Sequence, residues 1–97
     1  MAHAVVGLCT IEFQLPGVST LKEKRSILKS MLQRLHNTFN VSAAEVDQND
    51  ELEAATIGVA VVTNNSAHAN QVINNVINWI EKYYADAVIM NEQIEIL

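Results

Sequence analysis

Two segments with helical periodicity, each set between segments that alternate every second residue, limit this chain more than any other feature of its sequence. From Thr20 to about Asn37, Leu21, Leu28, Met31, Leu32 and Leu35 recur at helical spacing. After Ser66, a broader stripe follows: Ala69, Val72, Ile73, Val76, Ile77, Ile80 and Tyr83. Ahead of the first helix, residues 3–15 put Val5, Gly7, Cys9, Ile11 and Phe13 on one side of a strand. Val6, Leu8, Thr10, Glu12 and Gln14 fall on the other. Pro16-Gly17 ends that strand, and Ser19 is the expected N-cap, with Lys22 instead of Glu at the capping-box position. Residues 39–48 and 53–64 read as the second and third strands, joined by a turn at Asn49-Asp50-Glu51. The third strand aligns Ala55, Ile57, Val59 and Val61 on one face, and Ser66 is the expected cap of the second helix. Residues 86–97 form the last strand, whose parity changes between Ile89 and Ile94, as a bulge would make it.

The order is therefore β-α-β-β-α-β, with two helices that each need a sheet to cover. The economical packing is an α+β ferredoxin-like sandwich, a four-stranded antiparallel sheet with both helices on one face. Right-handed crossovers put the first and third strands side by side in its centre. Ninety-seven residues suit one domain spanning 1–97, burying about 65% of the unfolded chain's surface. A 49% apolar composition with three Gly and one Pro leaves no linker. Apolar runs are too short to span a membrane, and the N-terminus lacks the charged-then-apolar pattern of a signal peptide. Cys9 is the lone cysteine, so no intrachain disulfide forms and a cytoplasmic location is expected.

Net charge is −5, yet its distribution is uneven. Five of the six Lys and Arg residues (Lys22, Lys24, Arg25, Lys29 and Arg34) lie on the first helix. Residues 45–53 hold five acids and no base. On a helical projection Lys22, Arg25, Lys29, Gln33 and His36 fall within about 80° of arc, flanking the apolar stripe. Such a row suits a phosphate backbone or an acidic partner; it is equally the pattern of a solvated helix face. Lys24 projects to the apolar side in the first turn. It either covers the core edge with its stem or joins the Ser19 and Thr20 amides as an anion pocket.

Other chemistries find no support. Gly7, Gly17 and Gly58 are isolated, so there is no phosphate-cradling loop, and His3, His36, His68 and Cys9 show no metal-ligand spacing. No cofactor, metal or catalytic residue is expected. The solvent-facing sheet surface, with Val6, Leu8, Thr10, Thr56, Ala60 and Val62, lacks the aromatics on which RNA-recognition sheets stack bases. It is small and apolar, a surface suited to self-association. An acylphosphatase-like hydrolase is a weaker alternative resting on fold analogy, with Arg25 after the first strand and Asn64-Asn65 at a strand end.

The run Ser19, Leu21, Lys22, Glu23, Lys24, Arg25, followed by Asn40 through Val46, resembles the YlxP-like family of small bacterial proteins, a domain of unknown function. The likeness extends over essentially the whole chain and implies a ferredoxin-like fold. Members tend to be encoded beside translation and ribosome-maturation genes, which implies a role near the ribosome; the family supplies no catalytic residue to carry over. The segment "ELEAATIG" and the Asn-rich second helix depart from typical members. Together these readings point to a non-catalytic binding module that docks on ribosomal RNA or a ribosomal particle. Lys22, Arg25 and Lys29 would hold phosphates, with Lys24, Arg34 and His36 in support. The alternative is a homo-oligomer built on the open sheet and on contacts between the basic helix and the acidic hairpin.

Overall fold

The structure is a computed structural model that describes residues 3–97. Its elements are β1 (Val5–Gln14), α1 (Leu21–Thr38), β2 (Ser42–Asp47), β3 (Ala54–Thr63), α2 (Ser66–Tyr83) and β4 (Val88–Ile96). The strands form one antiparallel sheet in the order β2-β3-β1-β4, so the expected ferredoxin-like arrangement holds, with β1 and β3 central. Those two pair along their whole length, from Val5 opposite Thr63 to Gln14 opposite Ala54.

Strict alternation on β1 and β3 sends Cys9, Ile11 and Phe13, with Ala55, Ile57, Val59 and Val61, to the helix side. There they meet Leu28, Met31 and Leu35 from α1 and Ala69, Ile73, Val76, Ile77 and Ile80 from α2, all buried. At Gly7 the close approach of α2 favours glycine. A Cβ there would lie 3.0 Å from Ala69 Cβ and from Ile73 Cδ1.

The helix caps fall one residue from their expected places. Thr20, not Ser19, is the N-cap of α1: its Oγ1 accepts the Glu23 N–H at 3.1 Å. The Glu23 carboxylate reaches back to the Ser19 N–H at 3.3 Å, which completes a capping arrangement that placing the cap at Ser19 would break. Asn65, not Ser66, caps α2, accepting the His68 N–H at 3.1 Å. In both cases two adjacent capping residues compete, and the position of the next apolar turn selects between them.

The expected bulge lies in β4. Glu12 opposes Asn91 and Phe13 opposes Ile89, leaving Met90 as the extra residue. A second bulge, at Val46 in β2, has no periodicity to announce it; Glu45 opposes Ile57 and Asp47 opposes Thr56. The β2 strand is shorter than the expected 39–48, because Phe39 leaves the sheet to pack edge-on against Trp79. The positive φ of the following turn is at Gln48 (59°), ahead of the Asn and Asp that usually take it. Its side chain accepts the Thr56 hydroxyl at 2.6 Å, which helps hold that conformation.

Candidate functional site

The first helix is the element on which the chain concentrates positive charge, and the structure divides its basic residues into two groups. Lys22, Arg25 and Lys29 are exposed, as their angular position requires. Among the described residues the single salt bridge is Lys24–Glu45, so no carboxylate neutralises these three. Over the seven steps from Lys22 to Lys29 the row extends about 10 Å along the helix.

Lys24 is engaged inside the fold, whereas Arg34 and His36 are exposed and at the same time hold partners within the chain. The Lys24 side chain is 1% exposed, and its ammonium donates to Gln48 O at 2.6 Å and Glu51 O at 2.7 Å. Its third neighbour is Glu45 Oε2 at 3.2 Å. That oxygen is buried with no aligned hydrogen bond, so the contact is ionic. Of the ammonium's three donors two make hydrogen bonds, and the carboxylate supplies charge without a third aligned bond. There is no anion pocket with Ser19 and Thr20, nor does the charged end reach water. The β2–β3 turn folds over the first turn of α1 and closes on the lysine.

Arg34 lies across the aromatic cluster between the helices. Its guanidinium carbon is 5.0 Å from the Trp79 ring centre, 5.3 Å from that of Tyr84 and 5.5 Å from that of Tyr83. Nη1 donates to the Tyr84 hydroxyl at 3.2 Å, which also bonds the Ser30 hydroxyl at 2.8 Å. The signal available in the sequence was a pair of i, i+4 spacings, Ser30–Arg34 and Trp79–Tyr83, that place matching groups on facing helix flanks. His36 accepts the Ala43 N–H on Nε2 at 3.1 Å. The Ala43 amide points away from β3, so His36 covers the outer edge of β2.

The open sheet face is less uniform than alternation alone implies. Val6, Leu8, Thr10 and Ala60 are half-buried, and Thr56 is 5% exposed beneath Gln48. Val62 stands out at 69% exposure. The same face carries Glu12 and Glu95, the latter opposite Leu8. A hydrolase-like site does not assemble. The Pro16–Thr20 loop leading to Arg25 follows Gln14, which pairs with Ala54, whereas Asn64 follows Thr63 beside Val5. The loop before Arg25 and Asn64 thus lie at opposite ends of a ten-residue strand, which is about 30 Å long. Asn65 is spent on capping α2.

An open cleft of about 840 Å³ lies between the β1–α1 loop, α1 and the α2–β4 loop, with Leu15, Val18, Ile27, Ser30 and Tyr84 among its walls. Two carboxylates, Glu23 and Asp86, line it, and Glu23 is bonded to Ser19. Among the described residues no group of three or more His, Cys, Asp and Glu is placed to hold a metal ion. No helix among them is long and apolar enough to cross a membrane.

Comparison with known proteins adds identity to this geometry. Residues 6–94 match the family described as a protein of unknown function, DUF503. The chain belongs to this family. It is also similar to the uncharacterized protein YlxP of Bacillus subtilis (strain 168), with 29% identity over 79 residues. That alignment covers 81% of this chain and 86% of the relative. The matched region includes both the basic row and the Lys24 clasp, so the YlxP-like resemblance read from residues 19–25 and 40–46 holds.

Proposed function

We propose that this protein is a cytoplasmic, non-catalytic docking module whose first helix binds a phosphate-rich partner, ribosomal RNA or a ribosomal particle. The observation that carries this reading is the row Lys22, Arg25 and Lys29, exposed and unpaired in a chain of net charge −5. Three like charges held on one helix face, with no carboxylate within ion-pair distance of any of them, are an arrangement that counterion release rewards. The surroundings favour it as well. Residues 54–80, which include almost all of α2, contain no Asp, Glu, Lys or Arg, so the neighbouring helix brings no acid to the helix layer before Glu81. Ribosomal RNA is chosen from among polyanions because the YlxP-like resemblance implies a place near translation. Contacts of this kind give affinity and register, with little dependence on base sequence.

The test is co-sedimentation with purified ribosomal subunits and filter binding to ribosomal RNA, at low and moderate salt. Wild type runs beside a Lys22→Gln, Arg25→Gln, Lys29→Gln variant, with the oligomeric state of both recorded. Loss of binding in the variant at unchanged size supports the reading. Equal binding by the two proteins overturns it. Failure of both to bind, with loss of assembly only in the variant, assigns the charge to contacts between copies.

A further inference from the structure

The two edges of the sheet are treated differently. The β2 edge is short, bulged at Val46, and occupied: His36 takes the outward N–H of Ala43, and Lys24 pins the turn that follows. These are devices by which proteins keep another strand from adding. Of these the β4 edge has only a bulge, at Met90; it is nine residues long and its outward side is not covered by any described residue. It carries neither Lys nor Pro, and every residue of β4 except Ile89 is exposed, with Met90 at 59% and Ile94 and Ile96 at 38% each.

Hydrogen bonding identifies the groups left over. Val6 and Leu97 exchange both backbone hydrogen bonds, at 3.2 and 2.8 Å. Antiparallel alternation then turns Glu95, Gln93 and Asn91 toward β1 and leaves Ile96, Ile94 and Glu92 facing outward. Among the described residues nothing bonds the outward backbone groups of these three.

We propose that β4 pairs antiparallel with β4 of a second copy, about a two-fold axis at Ile94, joining two sheets into one of eight strands. Three observations favour a second copy over a foreign strand. First, groups near a two-fold axis meet themselves, so a self-pairing surface has to be neutral there. The α2 flank above this end of β4 satisfies that. Trp79 turns toward α1 and the buried stripe faces the sheet, so Asn70 and Asn74 lie on the side of β4. They sit at the end of α2 where Ala69 and Ile73 pack over Gly7, whose strand partner is Ile96. Second, the Ile94 register opposes Ile94 to Ile94, Glu92 to Ile96 and Gln93 to Glu95, and no carboxylate faces a carboxylate. Its hydrogen-bonded pairs use all three outward residues. Third, the guarded β2 edges would become the two ends of the joined sheet, so assembly stops at two.

Sedimentation equilibrium of the full chain tests the proposal, with an Ile94→Lys variant and a Val62→Lys control on the open face. The expected result is twice the chain mass for wild type and control, and a single chain mass for Ile94→Lys with an unchanged far-UV spectrum. An Ile94→Cys variant gives a second readout that does not depend on tolerating a charge. Paired residues of this kind have Cα atoms about 5.5 Å apart, within reach of a disulfide. Because Cys9 lies opposite residue 94 within one chain, both cysteine variants are made with Cys9→Ala; mild oxidation should then cross-link Ile94→Cys into a covalent dimer and leave Val62→Cys as single chains. A wild type that remains a single chain at its highest soluble concentration overturns the proposal. So does a dimer that Val62→Lys breaks and Ile94→Lys does not. The basic-row variant should keep its dimer, so failure here is distinguishable from failure to bind RNA.

Discussion

Lys24 shows how a single side chain can be read correctly for direction and wrongly for purpose. Its helical angle points it inward, and the structure agrees; what it meets there is a turn that arrives from 24 and 27 residues away in sequence. Removing it leaves two carbonyls and a carboxylate oxygen buried without their cation. Lys24→Met should therefore cost about 3–5 kcal/mol, the usual penalty for breaking a buried pair, measured by urea unfolding. Adding Glu45→Leu should recover part of that loss, because the orphaned carboxylate goes with it. Cys9 makes a second residue-scale case. Burial, helped by the nearby Glu92 carboxylate, pushes its thiol up from 9.0 to about 11. A thiol whose folded pKa lies above its unfolded value stabilises the fold fully below pH 9 and loses that contribution as pH rises toward 11. Wild type should lose stability across that window more steeply than Cys9→Ala, and the folded thiol should resist alkylation at neutral pH until the chain unfolds.

At the scale of elements, caps and edges carry the argument. Thr20 accepts the Glu23 N–H at the start of α1, so Thr20→Ala should cost about 1 kcal/mol, measured by thermal or urea unfolding. Ser19→Ala should cost clearly less, since its hydroxyl makes only a long 3.4 Å contact with Glu23. Equal losses would return the cap to Ser19. His36 guards β2 from α1, and His36→Ala should leave the Ala43 amide to water at a cost of about 1 kcal/mol. Exchange of that amide with solvent deuterium should rise in the variant, while amides in the β1–β3 ladder stay protected. The α1–α2 contact depends on Arg34 lying against three rings, a geometry in which Lys is a poor substitute.

For the whole molecule, the decisive property is where charge is absent. The exposed cations project from the helix layer, while acids crowd the 45–53 turn region and mark the open sheet face at Glu12 and Glu95. A polyanion therefore meets one attractive side and is turned away from the others. Three phosphate contacts predict that log Kobs for RNA falls with log salt at a slope of about −2 to −3. In the triple Gln variant the slope should approach zero, a salt titration being the measurement that decides.

What the sequence determined by itself is what depends on neighbours along the chain. Alternation at Val5–Phe13 and Ala55–Val61 and helical spacing at Leu21–Leu35 and Ala69–Ile80 fix which side chains face inward, and with that the order of elements and the sandwich. The Ile89–Ile94 parity change exposed the β4 bulge, because a bulge shifts side-chain parity locally. The exposed row of Lys22, Arg25 and Lys29 was legible for the same reason. The tertiary structure alone decided which cations gained partners within the chain. Lys24, Arg34 and His36 meet groups brought close by β2–β3 folding back and α2 packing beside α1, and local spacing by itself does not pair them. It decided the edges too. Whether a strand's outer N–H groups are covered depends on what folds against them, and here α1 reaches β2 while no described residue bonds the outer side of β4.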